Sequence, residues 1–393
     1  MRIAFVIQRY GLDISGGAEL ECRLTAERMM KYFDTEVLTT KAFDYITWRN
    51  HYLDDEEVIN GVLVRRFPVV RPRHPGRFGR LQDYLLSHDH TEEEELRWMD
   101  EMGPLVPDLI QYIKLNEEAY DYFIFFSFRY YPSYWGVRTV PGKSILVPTA
   151  ERDPVIGLRI FHDLFRLPRA IVYNSVEERE MINAISGNEH IPSDVGAVGI
   201  EIPPSFSGEA FREKYRLEGP YILYLGRVDE NKGCAELFSH FLRFQKETRS
   251  DLKLVLAGST VMRIPHHPDI IYLGYIGEED KFSALEGAEL LVMPSIYESL
   301  SIVTLEAWAV GTPVLANARC DVLKGQCLRS QGGLFYENYL EFREALSLLL
   351  QSDRLRQALG ENGKKYCRAN YTWDIIEKKY LSLFETLEKS KRS

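Results

Sequence analysis

The chain has 393 residues, of which 45% are hydrophobic and 27% are charged, and this size favours two domains that each bury a core. The formal net charge of −10 argues against a nucleic-acid-binding protein, because such proteins usually carry an excess of positive charge. The cysteines are scattered and form no C-x-x-C pair, so the sequence predicts neither a disulfide framework nor a zinc site.

The amino terminus and the hydropathy pattern bear on cellular location. The stretch Met1–Gln8 is short and is soon followed by charged residues, which indicates a first strand rather than a signal peptide. The sequence contains no apolar run of about 18 residues, so we predict no membrane-spanning helix. We expect a cytoplasmic protein, and peripheral contact with the inner face of a membrane stays open.

Apolar runs bounded by turn residues predict the strands of the first half, at residues 2–8, 36–40, 58–67, 120–128, 144–147, 170–174 and 194–200. A loop containing Gly16 and Gly17 follows the first strand and leads into a helix over 18–32. Paired glycines let a backbone approach a ligand closely and expose N–H groups at a helix start. A tight turn with positive φ needs such glycines equally. The loop lacks the G-x-G-x-x-G spacing, so a dinucleotide fingerprint is absent.

Residues 71–80 contain four arginines together with proline and glycine, and we predict a loop there. An acidic run, Glu92–Glu95, follows soon after. One interpretation is a mobile basic loop that meets an anionic acceptor or a membrane surface. The other, which we favour, is a solvated insertion whose two charge blocks attract each other.

A cluster of Pro, Ser and Gly at residues 203–208 marks the best domain linker, and the strand–helix pattern restarts after it. The second half has predicted strands at 221–227, 253–258, 270–275, 290–294, 312–317 and 332–336. A helix is predicted over 278–286, and three helices end the chain. Strand–helix alternation this regular implies a parallel, doubly wound sheet.

Two cations, Arg227 and Lys232, lie at the carboxyl end of the strand predicted over 221–227. The carboxyl ends of parallel strands are where open α/β sheets bind ligands. The two side chains could neutralise a diphosphate, Arg as a planar fork and Lys as a point charge. Two surface cations are ordinary in any loop, so their spacing alone leaves both interpretations open.

The segment Pro294–Leu315 places Glu298 and Glu306 on either side of a Ser-rich turn that opens a helix over 302–310. The serine hydroxyls of this turn suit an N-cap, and the free N–H groups of the first helical turn suit a phosphate. Eight residues of helix rise about 12 Å, roughly the length of a diphosphate with a sugar ring at either end. One carboxylate can then meet a ribose and the other a second sugar. The alternative is an ordinary amphipathic helix with two solvated glutamates.

The whole string from Pro294 to Val314 resembles the E-x7-E segment of retaining glycosyltransferases of family 4, the glycosyl transferases group 1. The resemblance extends to the Gly-Arg and Lys-Gly pairs within 226–233, the Gly-Gly loop and the terminal helix with Trp373. It implies an α/β protein of the GT-B fold, with two Rossmann-like, doubly wound parallel-sheet domains facing a cleft. Residues 1–203 would bind the acceptor, residues 204–371 would bind the nucleotide-sugar donor, and the helix at 372–393 would pack back on the first domain.

The resemblance implies a retaining, metal-independent glycosyltransferase. It would move a hexosyl group from a nucleotide-diphosphate sugar, by family expectation a UDP-sugar, to a saccharide or lipid-linked saccharide acceptor in polysaccharide biosynthesis. We expect no cofactor and no metal, because D-x-D is absent from the sequence and because cations and helix N–H groups can stabilise the leaving diphosphate. The expected partners are the donor and the acceptor, with membrane contact left open and no nucleic acid.

The resemblance also implies residue roles in binding the donor. Glu306 would bind the ribose, Glu298 the sugar, and Arg227 and Lys232 the diphosphate, with Gly226 beside the diphosphate and Gly16 and Gly17 closing over it. The backbone of Ser301, Ile302 and Val303 would face phosphate or sugar, and Tyr275 and Ile276 would lie in the loop that holds the base. The candidate catalytic residues are Glu298, Arg227, Lys232 and Glu151. Family members often have a histidine near the position of Glu151, and they often have Gly-Phe-Gly-Leu where this chain has Ser299–Ile302.

Two other functions use the same architecture. A sugar-nucleotide 2-epimerase lacks this E-x7-E string, and a scaffold with a dead site would not need the intact phosphate and sugar residues. An aromatic cluster of the first half could stack an acceptor sugar, although such clusters are more often core; its members are Tyr130, Tyr131, Tyr134 and Trp135.

Overall fold

The computed structural model describes residues 1–14, 16–196 and 198–392, and the chain divides into two compact units. The first unit comprises Met1–Val198 and Glu377–Ser393, and the second comprises Gly199–Ile376. Three residues lie outside the described ones: Ser15 of the glycine loop, Ala197 of the predicted strand 194–200, and Ser393 of the predicted last helix.

Within the described residues, the first unit is built on an eight-stranded sheet. Its strands are β1 (Arg2–Val6), β2 (Asp34–Thr40), β3 (Glu56–Ile59), β4 (Val62–Phe67), β5 (Tyr122–Phe126), β6 (Ser144–Val147), β7 (Ala170–Tyr173) and β8 (Ser193–Val195). Their order is β3-β4-β2-β1-β5-β6-β7-β8, and neighbours are parallel except for the antiparallel pair β3 and β4. The order reverses between β1 and β5, so the loops after these strands flank a switch point of the sheet.

The single strand predicted over 58–67 is instead a hairpin. The chain turns at Asn60 and Gly61, whose φ angles are 49° and 90°. Asn-Gly is the dipeptide that a two-residue hairpin turn favours, because both of its positions need positive φ. The signal for the hairpin was therefore present in the sequence.

The helices of the first unit are α1 (Gly17–Met29), α2 (Pro75–Ser87), α3 (Glu92–Met102), α4 (Pro107–Leu115), α5 (Tyr131–Thr139), α6 (Arg159–Leu164) and α7 (Val176–Ser186). The aromatic residues proposed as an acceptor platform belong to the core. Tyr134 is buried, and Tyr130, Tyr131 and Trp135 pack against the same hydrophobic cluster. Burial of Tyr134 and partial burial of the other three rings stabilise the unit.

The prediction of a loop over 71–80 is wrong from Pro75 onward, where α2 begins. Proline suits the first helical position, and Phe78, Leu81 and Leu85 follow at helical spacing and pack on the core. The arginines pair with a different acid from the one expected. The nearest contacts join Arg71 and Arg77 to Glu101, at 3.0 and 2.7 Å, rather than to the acidic run at 92–95.

In the described part of the second unit, the sheet has six parallel strands in the order β11-β10-β9-β12-β13-β14. They are β9 (Tyr221–Leu225), β10 (Lys253–Ala257), β11 (Ile270–Tyr272), β12 (Leu290–Met293), β13 (Val314–Asn317) and β14 (Gly333–Tyr336). Each lies where an apolar run predicts a strand. The order reverses between β9 and β12, and the loops that leave these two strands therefore flank the expected ligand site.

The helices of this half are α8 (Gly208–Tyr215), α9 (Cys234–Thr248), α10 (Glu278–Gly287), α11 (Ile302–Val310), α12 (Asp321–Ser330), α13 (Tyr339–Gln351), α14 (Asp353–Asn370) and α15 (Trp373–Arg392). The last helix leaves the second unit at Glu377, whose carboxylate lies 2.9 Å from Lys31 Nζ of the first unit's α1–β2 turn. Among the described helices, none combines the length and the apolar character that crossing a bilayer requires.

Helix α11 is held rigidly by its surroundings. Trp308 is fully buried and its indole Nε1 donates to the carbonyl of Gly332 at 2.8 Å. Helix α14 approaches closely at Gly363, where an added Cβ would lie 2.3 Å from Trp308 Cδ1. This close packing fixes the position of the helix whose amino terminus faces the switch point.

Candidate functional site

Two loops meet at the switch point of the second sheet, one after β9 and one after β12. Gly233 has φ +74°, and an added Cβ there would lie 2.2 Å from the carbonyl oxygen of Pro294. The glycine therefore allows backbone contact that a side chain would prevent. The loop after β13 joins them, because Asn317 Nδ2 donates to the same Pro294 oxygen at 3.0 Å.

The structure brings together two predicted residues, Lys232 and Glu298. The ammonium of Lys232 lies 2.9 Å from Glu298 Oε1 and donates to the carbonyl of Tyr297 at 3.2 Å. Both side chains are mostly buried, with 27% and 14% of their surface exposed. A partly desolvated pair of this kind fixes the direction of both side chains more firmly than a surface pair does.

Arg227 is oriented by a residue that the sequence analysis missed, Asp229. Arg227 Nε donates to Asp229 Oδ2 at 2.8 Å, and the other carboxylate oxygen accepts from the backbone N–H of Asn231 at 2.9 Å. Asp229 thereby links the guanidinium to the short 3-10 turn Glu230–Lys232 that carries the second cation. Each cation at this edge thus has an acidic neighbour in the structure.

The first turn of α11 begins at the same edge of the sheet. Ser301 occupies the N-cap position with φ 64°, a left-handed conformation that a non-glycine residue adopts at a cost of about 1 kcal/mol or more. The predicted serine cap is wrong in its bonding. In the described chain, the Ser301 hydroxyl bonds Thr304 Oγ1 at 2.9 Å instead of a helix N–H. The backbone N–H groups of Ile302 and Val303 belong to the first helical turn, where N–H groups have no acceptor within the helix and can bind an anion.

The second glutamate of the pair lies deeper than expected. Glu306 is only 5% exposed and its Oε1 lies 2.6 Å from the ammonium of Lys281, a residue of α10 that the sequence analysis missed. Burial raises the pKa of Glu306, and the neighbouring ammonium opposes that rise. Burial would lower the pKa of Lys281, but the carboxylates of Glu306 and Glu278 raise it above its usual value.

The residues predicted to hold the base precede α10. Tyr275 is 79% exposed and Ile276 is half-buried, three and two residues before the helix begins at Glu278. Gly226 has φ +139° and follows β9 directly. These three residues therefore border the same carboxyl edge as the loops after β9 and β12.

In the first unit, the glycine loop is shaped by a buried ion pair. Glu19 Oε1 accepts from Gln8 Nε2 at 3.1 Å and from Arg9 Nε at 3.0 Å. An added Cβ at Gly16 would lie 2.1 Å from Glu19 Oε2, whereas one at Gly17 would meet nothing within 4 Å. A side chain at position 16 would therefore clash with the Glu19 carboxylate, whereas the backbone of Gly17 has open space beside it.

Glu151 follows β6 in a strained loop. Thr149 and Ser127 both have positive φ, at 49° and 66°, and their hydroxyls lie 2.8 Å apart. Glu178 ties this loop to the next one, because its carboxylate accepts from the backbone N–H groups of Ala150 and Asn174. Backbone strain at strand ends is often kept where function requires it.

Two carboxyl groups lie buried behind that loop. Burial raises the pKa of Glu178 to about 8, against the lowering effect of its backbone donors. Burial likewise raises the pKa of Glu21 to about 8, although Asn174 Nδ2 donates to it at 2.9 Å. Glu178 therefore contacts the loop that carries Glu151 directly, and Glu21 contacts the neighbouring loop through Asn174.

Comparison with known proteins associates this geometry with one family. Residues 208–366, which lie within the second unit, match the family model described as "Glycosyl transferases group 1". A 275-residue stretch is 24% identical to phosphatidyl-myo-inositol mannosyltransferase of Mycobacterium leprae and covers 66% of this chain and 71% of that protein.

Solved structures share the fold over almost the whole chain. Sucrose-phosphate synthase of Thermosynechococcus elongatus is 16% identical with a TM-score of 0.75, covering 99% of both chains. HepE of Anabaena, solved in complex with UDP and glucose, is 14% identical with a TM-score of 0.72, covering 98% of this chain and 100% of that one. At these identities the likeness concerns the fold, and it confirms the predicted GT-B class.

The buried acids make the stability of the first unit depend on pH. A carboxyl group whose pKa is raised on folding stabilises fully below its unfolded pKa, and this stability is lost as pH rises toward the folded value. We expect the free energy of unfolding to fall between about pH 5 and pH 8, and Glu21→Gln to reduce that slope by about 1 kcal/mol per pH unit. Denaturant unfolding at a series of pH values across this range measures the free energy of unfolding of the first unit.

Glu118→Gln is the control, because the side chain of Glu118 is 94% exposed. It should leave the pH dependence of the wild type unchanged. If the free energy of unfolding depended on pH equally in Glu21→Gln and in the wild type, Glu21 would not titrate as the structure indicates.

Proposed function

The chain belongs to the group 1 glycosyltransferases, and from this premise we propose that it transfers a hexosyl group from a nucleotide-diphosphate sugar to a saccharide or lipid-linked saccharide acceptor. The predicted family resemblance and the enzyme class are thereby confirmed. The observation that carries the proposal is the arrangement at one sheet edge. Arg227, Lys232 and the first turn of α11 all lie at the switch point between β9 and β12.

The diphosphate is proposed to lie over the first turn of α11. The N–H groups of Ile302 and Val303 would donate to its oxygens, and the two cations would supply charge-assisted bonds. Before the donor arrives, Glu298 and Asp229 hold these cations in place. Because the donors are already oriented, little reorganisation is needed when charge develops on the leaving group.

The sugar is proposed to lie beside Glu298. This carboxylate is ordered by Lys232, so it can accept hydroxyl hydrogen bonds in a fixed direction. The same contact places the transferred sugar next to the ammonium that holds its phosphate. We assign catalytic roles to Glu298, Arg227 and Lys232 on this basis.

We propose transfer with retention of the anomeric configuration. The bond between the anomeric carbon and the diphosphate oxygen breaks, and the acceptor oxygen bonds that carbon on the same face. The acceptor proton passes to the departing phosphate oxygen, so the products are the glycosylated acceptor and the nucleoside diphosphate. The two cations and the helix N–H groups offset the charge of the leaving group, and no metal is required in this scheme.

The donor and acceptor classes draw on the relatives. HepE of Anabaena binds UDP, which supports uridine as the base, and Tyr275 and Ile276 stay its proposed contacts. The named activity of the mycobacterial relative concerns a phosphatidyl-inositol, which supports a lipid-linked acceptor and hence peripheral membrane contact. Gly16 and Gly17 stay proposed donor-binding residues, and Glu151 stays a proposed catalytic residue of the first unit.

Incubation with UDP-hexoses in the presence of EDTA tests the proposal. We expect slow release of UDP and free sugar without an acceptor, because water can replace the acceptor hydroxyl. NMR of the first-formed sugar should show the anomer of the donor. An isomerised sugar nucleotide would indicate an epimerase, and no turnover with any sugar nucleotide would indicate a binding scaffold; either would overturn the proposal.

Arg227→Ala and Lys232→Ala should each weaken nucleoside-diphosphate binding by about 1–3 kcal/mol, the worth of a hydrogen bond to a charged group. The effect of Lys232→Ala should be the larger, because Glu298 then loses the ammonium that orients it, whereas in Arg227→Ala the carboxylate of Asp229 still accepts from the backbone N–H of Asn231. Adding Glu298→Gln to Lys232→Ala should recover part of the loss. Isothermal titration calorimetry measures the nucleoside-diphosphate affinity of the wild type, the two single variants and the double variant.

Lys365→Ala serves as the control, since the side chain of Lys365 is 70% exposed and its ammonium lies 4.0 Å from Glu361 on α14. It should bind UDP as the wild type does. Unchanged affinity in both Arg227→Ala and Lys232→Ala would refute the phosphate roles.

A further inference from the structure

Lys281 joins two parts of the second unit that are distant in sequence. Its ammonium lies 2.6 Å from Glu306 Oε1 and 2.7 Å from Glu278 Oε2. Its backbone N–H donates to the carbonyl of Gly277 at 2.8 Å, where the proposed base loop ends. One lysine therefore connects the proposed base loop, the start of α10 and the buried carboxylate of α11.

We propose that Lys281 is a positioning residue for the ribose of the donor. In this role it holds Glu306 by Oε1, so that Oε2 is left to accept from the ribose hydroxyls. The inference rests on the proposed function, because it requires a nucleotide bound with its ribose near α11. It adds a third cation to the donor site, acting through a carboxylate instead of on the phosphates.

The burial of the pair gives Lys281 this role. An exposed lysine–carboxylate pair contributes little, because solvent screens both charges. Here the side chains of Lys281 and Glu306 are only 15% and 7% exposed. A carboxylate that deep would favour its protonated form if the ammonium were absent, and a protonated acid is a weaker acceptor for hydroxyl groups. Lys281 therefore favours the ionised form of Glu306 and fixes the direction of its carboxylate.

The same contact explains a discrepancy between sequence and structure. The E-x7-E spacing suggests two equivalent carboxylates that each reach a sugar. In the structure Glu298 pairs with Lys232 and its side chain is 14% exposed, whereas Glu306 pairs with Lys281 and its side chain is 7% exposed. Each carboxylate is thus aligned by its own lysine, one on the sugar side and one on the ribose side.

Calorimetry with three probes separates the ribose from the rest of the donor: a ribonucleoside diphosphate (the tighter binder of UDP and GDP), its 2′,3′-dideoxy form, and inorganic pyrophosphate. Lys281→Met should weaken binding of the ribonucleotide roughly tenfold, the loss expected for one charge-assisted hydrogen bond. It should leave the affinities for the dideoxy nucleotide and pyrophosphate unchanged. The wild type should prefer the ribonucleotide to the dideoxy form, and Lys281→Met should lose that preference.

Two further variants keep the test decisive. Lys281→Gln removes the charge while its amide can still donate to Glu306, so this variant should lose less of the ribose preference than Lys281→Met. It also provides the test if the methionine variant fails to fold. Lys214→Met is the matched control, because Lys214 lies 2.6 Å from Asp280, the neighbour of Lys281 on α10, in an exposed pair. It should bind all three probes as the wild type does.

Equal weakening of the ribonucleotide and dideoxy forms, or tighter binding of the ribonucleotide, would overturn the positioning role. In that case the pyrophosphate affinity of the wild type would persist and the proposed function would stand. If the wild type bound none of the three probes, the proposed function would fall, and the role of Lys281 with it.

Discussion

The contact between Lys232 and Glu298 joins the two loops on which the second unit's chemistry depends. Lys232 comes from the loop after β9 and Glu298 from the loop after β12, and these strands are neighbours where the sheet order reverses. Because Gly233 lacks a side chain, the loops touch through backbone and the ammonium reaches across. A ligand at this edge meets a cation, a carboxylate and a helix amino terminus in fixed positions.

Charge compensation is a second property of the site. Arg227 pairs with Asp229, Lys232 with Glu298, and Lys281 with Glu306. Each cation therefore has its direction set before a ligand binds, and no isolated charge has to be desolvated. Binding of a diphosphate would replace part of this internal compensation with contacts to the ligand. Orientation in advance is what electrostatic stabilisation of a leaving group needs.

The first unit shows the same principle in a different form. Its carboxyl edge is shaped by buried side chains: Glu19 holds Arg9 beneath the glycine loop, and Glu178 ties the backbone at Ala150. Positive φ at Ser127 and Thr149 stores strain at the strand ends where ligands of α/β sheets bind. The core of this unit is rich in aromatic side chains, whose burial stabilises the fold.

Much of the fold follows from the sequence because buried parallel strands are continuous apolar runs. The strands of the second unit were predictable on that ground, and helix α11 was predictable from the Ser-rich turn before it. The helix that begins at Pro75 was missed because the arginines, proline and glycine outweighed the apolar spacing of Phe78, Leu81 and Leu85. The turn at residues 60 and 61 was missed although the Asn-Gly signal was present.

The site was predictable only where it is local in sequence. The spacing of Glu298 and Glu306 placed both around the start of α11. The partner of Glu306 was not predictable, because Lys281 lies 25 residues away and meets it only through the packing of α10 on α11. The hydroxyl of Ser301 could not be assigned either, since its left-handed backbone directs it to Thr304.

A crystal structure of the protein with a bound nucleoside diphosphate tests the central claim most directly. We expect the diphosphate oxygens within hydrogen-bonding distance of Arg227 and Lys232 and of the N–H groups at Ile302 and Val303. A nucleotide found elsewhere on the chain, or a diphosphate with neither cation in contact, would show that this edge of the second sheet is not the donor site.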